Sequence, residues 1–189
     1  MQRLQQIAFV VSLLALSWMG MMATHELGHV LGALVSGGIV ERVVVHPLTI
    51  SRTDVTPNPN PLIVVWLGPI VGCILPLVAA MLVPQRLPFA RRTAMFFAGF
   101  CLLANGAYIA AGSIDRVGDC GEMLKYGSPL WTLLLFGAIT IPIGFWLWHR
   151  IGSAKEFLAH PELVKPATAW TFLVATVVVF AIALTVSPM

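Results

Sequence analysis

The stretch Ile7–Val35, IAFVVSLLALSWMGMMATHELGHVLGALV, decides how the rest of the chain is read. It holds one formally charged side chain, Glu26, and is longer than the roughly 20 apolar residues that cross a bilayer. Inside it lies Thr24-His25-Glu26-Leu27-Gly28-His29. Two histidines four apart fall on one helix face about a turn apart, with a carboxylate beside them. That pattern suits a helical zinc site: two imidazoles on the metal, and Glu26 as general base towards the water it holds. Ionisable groups deep in a spanning segment are costly and usually functional, so a pair of merely satisfied core histidines is the poorer account.

The whole chain has the same character. Of its 189 residues 58% are hydrophobic and 10% charged, and the mean hydropathy is +0.89, against about a quarter charged for soluble domains. We expect an all-α integral membrane protein, one multi-pass domain over residues 1–189 without a soluble appendage. The net charge of +3 comes from basic residues scattered over loop ends, which argues against a nucleic-acid partner. Cys73, Cys101 and Cys120 form no C-x-x-C pair and no even set, so neither a disulfide framework nor a cysteine zinc site is indicated.

Five apolar segments are placed at about 7–36, 61–83, 93–112, 129–148 and 167–187. The first resembles a signal peptide at its start, yet the apolar pattern runs past His29, so we read it as a retained span. Gly28 and Gly32 offer a face for close helix packing. In the second span, Gly68-Pro69 and Pro76 suggest kinks or close contacts. Residues 39–55 are rich in β-branched side chains, turn at His46-Pro47 and end in Pro57, Pro59 and Pro61. They read as a short β-hairpin or a re-entrant loop at the membrane edge. A strand edge there, represented by Val43, Val44 and Val45, would let an unwound substrate pair its backbone. His46 is a weaker metal candidate. Asn105 is the lone amide within a span, suited to an interhelical hydrogen bond or to a substrate backbone contact.

A catalytic zinc takes three protein ligands and a water, so one ligand beyond the histidines is required. The densest source of acids is Gly112–Leu124, read as a glycine-interspersed loop. Asp119, between Gly118 and Cys120-Gly121, is the leading candidate; Asp115, Glu122 and Asp54 compete.

At this point the chain resembles the site-2 proteases, a family of intramembrane zinc metalloproteases. The resemblance rests on H-E-x-x-H at 25–29 within a span, the strand-rich loop behind it and Gly68-Pro69 in the next span. It rests also on Asp119-Cys120-Gly121-Glu122-Met123-Leu124, which is similar to the family's D-G-G-x-x-L. It covers about residues 20–125, within a protease-like core of about 7–128 followed by two additional helices at 129–189. Cys120 stands where the family usually has Gly, and no Asn-Pro pair precedes the Asp. The resemblance implies one Zn2+ on His25, His29 and Asp119, with Glu26 catalytic and a membrane protein as substrate. Family members often carry a gating domain, so gating here would fall to a membrane regulator or complex partner, or to the hairpin.

Two further classes are weighed beside the protease. One is a non-proteolytic subunit of a membrane complex that keeps the metal-site scaffold. The other, a di-iron oxygenase, needs many more histidines than the five present. Within the protease class, an isoprenyl-directed enzyme would use Glu122 as ligand. Orientation divides the signals. The side of the amino terminus carries Arg3, Arg86, Arg91, Arg92, Arg150, Lys155 and Lys165, and the other Arg42, Arg52, Arg116 and Lys125. That mildly favours an amino terminus inside, whereas the resemblance implies the reverse. Either way, the hairpin and the Asp119 segment share a side.

Overall fold

A computed structural model describes residues 1–187. Five helices are long and apolar enough to cross a membrane: α1 (Gln2–Ser36), α2 (Pro61–Leu82), α3 (Pro88–Asp115), α5 (Leu130–Ile151) and α7 (Pro166–Val186). Between them lie strands β1 (Val40–Val44) and β2 (Arg52–Val55), the short helices α4 (Gly118–Lys125) and α6 (Ala154–Ala159), and a 3-10 turn at Pro161–Leu163. The protein is an all-α membrane protein carrying one small hairpin. Its outer faces expose large apolar side chains, among them Leu75, Val78, Leu134, Ile143, Val174 and Val177. Such a belt is stable against lipid and costly against water.

At 1.5 Å per residue the 35 residues of α1 span about 52 Å, well beyond a hydrocarbon core of about 30 Å. Its amino-terminal end is tied to the segment ahead of α7. There Arg3 and Gln6 donate to the backbone carbonyls of Leu158 and Phe157 around α6, and Phe9 packs edge-on against Phe172 of α7. At its other end α1 stops at Gly37, whose φ of 77° turns the chain into the hairpin and lets its N–H close on the Ala33 and Leu34 carbonyls.

In its C-terminal third, α1 lies against α2 with almost no side chain between them. A Cβ on Gly28 would sit 2.1 Å from the Leu67 carbonyl oxygen, and one on Gly32 2.7 Å from Val64 Cα. The small-residue face expected from the sequence is therefore the α1–α2 seam. Helix α2 begins at Pro61 and runs continuously through Pro69 and Pro76, both buried against neighbouring helices. Helix α3 packs along α5, while α7 packs mainly on α1 and touches α3 where Phe172 meets Phe89 edge-on.

The strands pair antiparallel, with Val40 opposite Val55 and Val44 opposite Arg52 and an irregularity between Val40 and Arg42. Leu48 and Ile50 at the turn are exposed. In place of the glycine-interspersed loop expected over 112–124, α3 runs on to Asp115 and the chain then forms α4. Its eight residues start at Gly118, where φ is +54° and where a Cβ would lie 2.2 Å from the Tyr108 oxygen. No L side chain suits that position.

Candidate metal centre

His25, Glu26 and His29 are all buried on α1, between 2% and 6% exposed. Each offers a ligand atom, and the three atoms lie within 4.8 Å of one another. Each histidine ring is fixed from behind. His25 Nδ1 is 2.6 Å from Asn105 Oδ1, and His29 Nδ1 is 2.9 Å from the Val64 carbonyl oxygen. Asn105 is oriented in turn by donating its amide Nδ2 to the Cys101 carbonyl at 2.9 Å. Two acceptors therefore face the two Nδ1 atoms. The protons belong on Nδ1, and both Nε2 atoms present lone pairs.

What those lone pairs face is Asp119. Its Oδ2 lies 2.8 Å from His25 Nε2 and 3.4 Å from His29 Nε2. Three acceptor atoms converging in a buried site repel one another unless a positive charge joins them. Ligand atoms of a tetrahedral zinc at bond lengths of about 2.0–2.1 Å sit roughly 3.3 Å apart, so this spacing and this donor set fit such an ion.

Asp119 reaches the histidines because α4 is docked on α3. Its backbone N–H donates to the Tyr108 hydroxyl oxygen at 3.0 Å, and the Cys120 thiol points at the Tyr108 and Ile109 carbonyls at 3.4 and 3.5 Å. Burial first, and then the Asp119 charge, push the Cys120 thiol up to about 11, so it stays protonated and serves as donor and packing group. Gly68 clears space on the opposite side: a Cβ there would stand 2.3 Å from His29 Cε1. Glu26 is held by the hairpin, with Thr53 Oγ1 donating to its Oε2 at 2.7 Å.

The other candidates fall elsewhere. Asp115 is the exposed last residue of α3. Glu122 borders the site, but its carboxylate pairs with Lys125 at 3.0 Å on the surface. Asp54 pairs with Arg52 at 3.4 Å. His46 is buried in its turn, its Nδ1 accepting the Leu48 N–H at 3.2 Å. A cavity of about 550 Å³ opens beside the histidines, walled by β2 and by α4, with His29, Asp119, Tyr108 and Asn58 among its lining. As expected, hairpin and acidic segment share a side. The bordering strand, however, is β2; Val43, Val44 and Val45 do not line the cavity, Val44 is buried, and the Val45 N–H donates to Ser187 Oγ. Asn105 does not line it either, since its amide is occupied between His25 and Cys101.

Sequence reading did not find Thr53, Tyr108 or the Val64 carbonyl. Thr53 and Tyr108 are ordinary residues whose roles arise from contacts across the fold. The Val64 contact was foreshadowed only by Gly28 and Gly32, which bring α2 close enough for its carbonyl to reach His29. No family model, curated protein or solved structure matches this chain.

The Asn105 contact makes a specific prediction. Asn105→Leu removes the acceptor behind His25, frees its tautomer and strands the ring proton, so zinc affinity should drop by about 10- to 100-fold. Asn105→Asp, which keeps an acceptor there, should retain most of it. Competition with a chromophoric chelator on the purified variants measures both.

Proposed function

We propose that the protein is an integral, multi-pass membrane enzyme with five spans, a zinc-dependent endopeptidase hydrolysing a peptide bond in or near a transmembrane segment of another membrane protein. The observation that carries this reading is the convergence of two imidazole lone pairs and a carboxylate oxygen beside a buried glutamate. It is supported by the cavity's border on β2, since an unwound segment needs partners for the backbone groups it exposes.

His25, His29 and Asp119 would hold the ion, which when bound supplies a Lewis acid and lowers the pKa of a ligated water. Glu26 then does the proton work. Its carboxylate takes a proton from the attacking water as the water oxygen bonds to the peptide carbonyl carbon. It returns that proton to the nitrogen as the C–N bond breaks, leaving a carboxylic acid and an amine, which pass the second proton of the water between them to end as carboxylate and ammonium. Thr53 keeps one Glu26 oxygen engaged, which fixes the direction of the other. The burial of His25, Glu26 and His29 strengthens each electrostatic contact they make.

Metal content and cleavage together test the reading. Detergent-purified protein should carry about one zinc ion per chain. It should cleave a reporter-tagged transmembrane segment in liposomes, lose that activity to 1,10-phenanthroline and regain it with added zinc. A folded preparation that binds no metal would overturn the proposal and favour a scaffold subunit in a membrane complex.

A further inference from the structure

Tyr108 contributes more to the cavity than a wall. Its oxygen accepts the Asp119 N–H at 3.0 Å, and among the described hydrogen bonds it donates none. Its ring packs at a steep angle to His25, with centroids 6.0 Å apart, and its hydroxyl lies at the Asp119 backbone, beside the two histidines and Asp119. It also lines the open cavity together with His29 and Asp119. A phenol O–H in a partly buried site loses free energy when it has no acceptor. Asn58, another lining residue, has the complementary shortage: its side-chain oxygen is buried without a donor. One unpaired donor and one unpaired acceptor in a single groove match what a peptide amide presents, a carbonyl oxygen and an N–H.

We infer that Tyr108 is a catalytic residue whose hydroxyl donates a hydrogen bond to the oxygen of the scissile carbonyl, and that Asn58 accepts a substrate backbone N–H. The inference rests on the endopeptidase reading and deepens it. As water adds to the carbonyl carbon, negative charge gathers on that oxygen, and a donor already held in place stabilises it more than it stabilises the ground state. Tyr108 is held in place: its oxygen is anchored by the Asp119 N–H, and Gly118 leaves no side chain in its way. No proton leaves the tyrosine in this step; it contributes the hydrogen bond alone.

The test compares Tyr108→Phe, Asn58→Ala and Glu26→Gln with wild type in the liposome assay, each with zinc content measured. Tyr108→Phe also removes the acceptor of the Asp119 N–H, so it is assayed at saturating zinc, where kcat should fall by about 10²-fold with KM little changed. It should weaken a phosphinic peptide, which mimics the tetrahedral species, by a similar factor, and a substrate-like peptide with a non-cleavable bond hardly at all. Asn58→Ala should raise KM several-fold and leave kcat near wild type. If kcat of Tyr108→Phe returns to the wild-type value once zinc is saturating, Tyr108 only supports Asp119, and the inference is overturned. Unchanged kcat in Tyr108→Phe beside an inactive Glu26→Gln would also overturn it while leaving the endopeptidase reading intact. A wild-type protein without cleavage would remove the reading on which both rest.

Discussion

Glu26→Gln is expected to stop cleavage, lowering the rate by about 10²- to 10⁴-fold, while zinc and fold remain. The substitution is close to isosteric. The Thr53 hydroxyl that donates to Glu26 Oε2 finds the same acceptor in the glutamine carbonyl, so the tie between β2 and α1 survives. Glu26 is 2% exposed, and replacing a buried carboxylate by a neutral amide removes a charge whose desolvation opposes folding. What the amide lacks is a site for the water's proton. Rate and metal content should therefore separate in this variant. Normal cleavage by Glu26→Gln would sink the general-base role. Loss of zinc with activity would move Glu26 from base to ligand, a distinction worth measuring because its oxygen lies within the same 4.8 Å set as the histidine nitrogens.

The parts of this protein that sequence revealed are those with a repeating or compact signal. Each spanning helix is a run of 21 to 35 residues, and apolar runs of that length have one stable form in lipid. The histidines and Glu26 share a turn of one helix, so their juxtaposition follows from spacing alone. Asp119 was legible as a candidate because acids are scarce here and Gly118 flanks it. Its secondary structure was not. Eight residues with two glycines carry too little periodicity to announce α4, which exists because Cys120 and Met123 bury themselves against α3 and its neighbours. The hairpin was legible in its β-branched residues, but the strand that faces the site was not. Which strand faces the site is settled by the docking of β2 on α1 through Thr53, a contact across the fold that the pattern of β-branched residues does not announce. Asn105 shows the same limit. An amide in a span signals a polar partner, yet the partner is His25, 80 positions away along the chain.

Asp119→Ala should release the metal, lowering zinc retention by more than about 10²-fold, since loss of a group that merely orients a ligand costs 10- to 100-fold. The fold should tolerate the change. Helix α4 is docked by the Asp119 backbone N–H on Tyr108 and by the Cys120 thiol on two α3 carbonyls, and neither contact uses the carboxylate. What α4 loses is an acid in its first turn, worth about 0.3–1 kcal/mol in favourable cases. The removal also changes what the histidines face. With Nδ1 protons committed to Asn105 and Val64, the two Nε2 lone pairs no longer confront an anion, so the apoprotein of Asp119→Ala should be at least as stable as apo wild type. Thermal unfolding of the metal-free pair checks that. Glu122→Ala and Asp115→Ala serve as controls and should keep wild-type zinc, because the first breaks an exposed pair with Lys125 and the second alters a surface position. Zinc kept by Asp119→Ala and lost by Glu122→Ala would transfer the ligand role one turn along α4. Zinc kept by both and lost by Glu26→Gln would confine the site to α1. The convergence on Oδ2 favours neither result: of the acids near this site, Asp119 alone has an oxygen within 3.4 Å of both imidazole nitrogens among the described ion pairs.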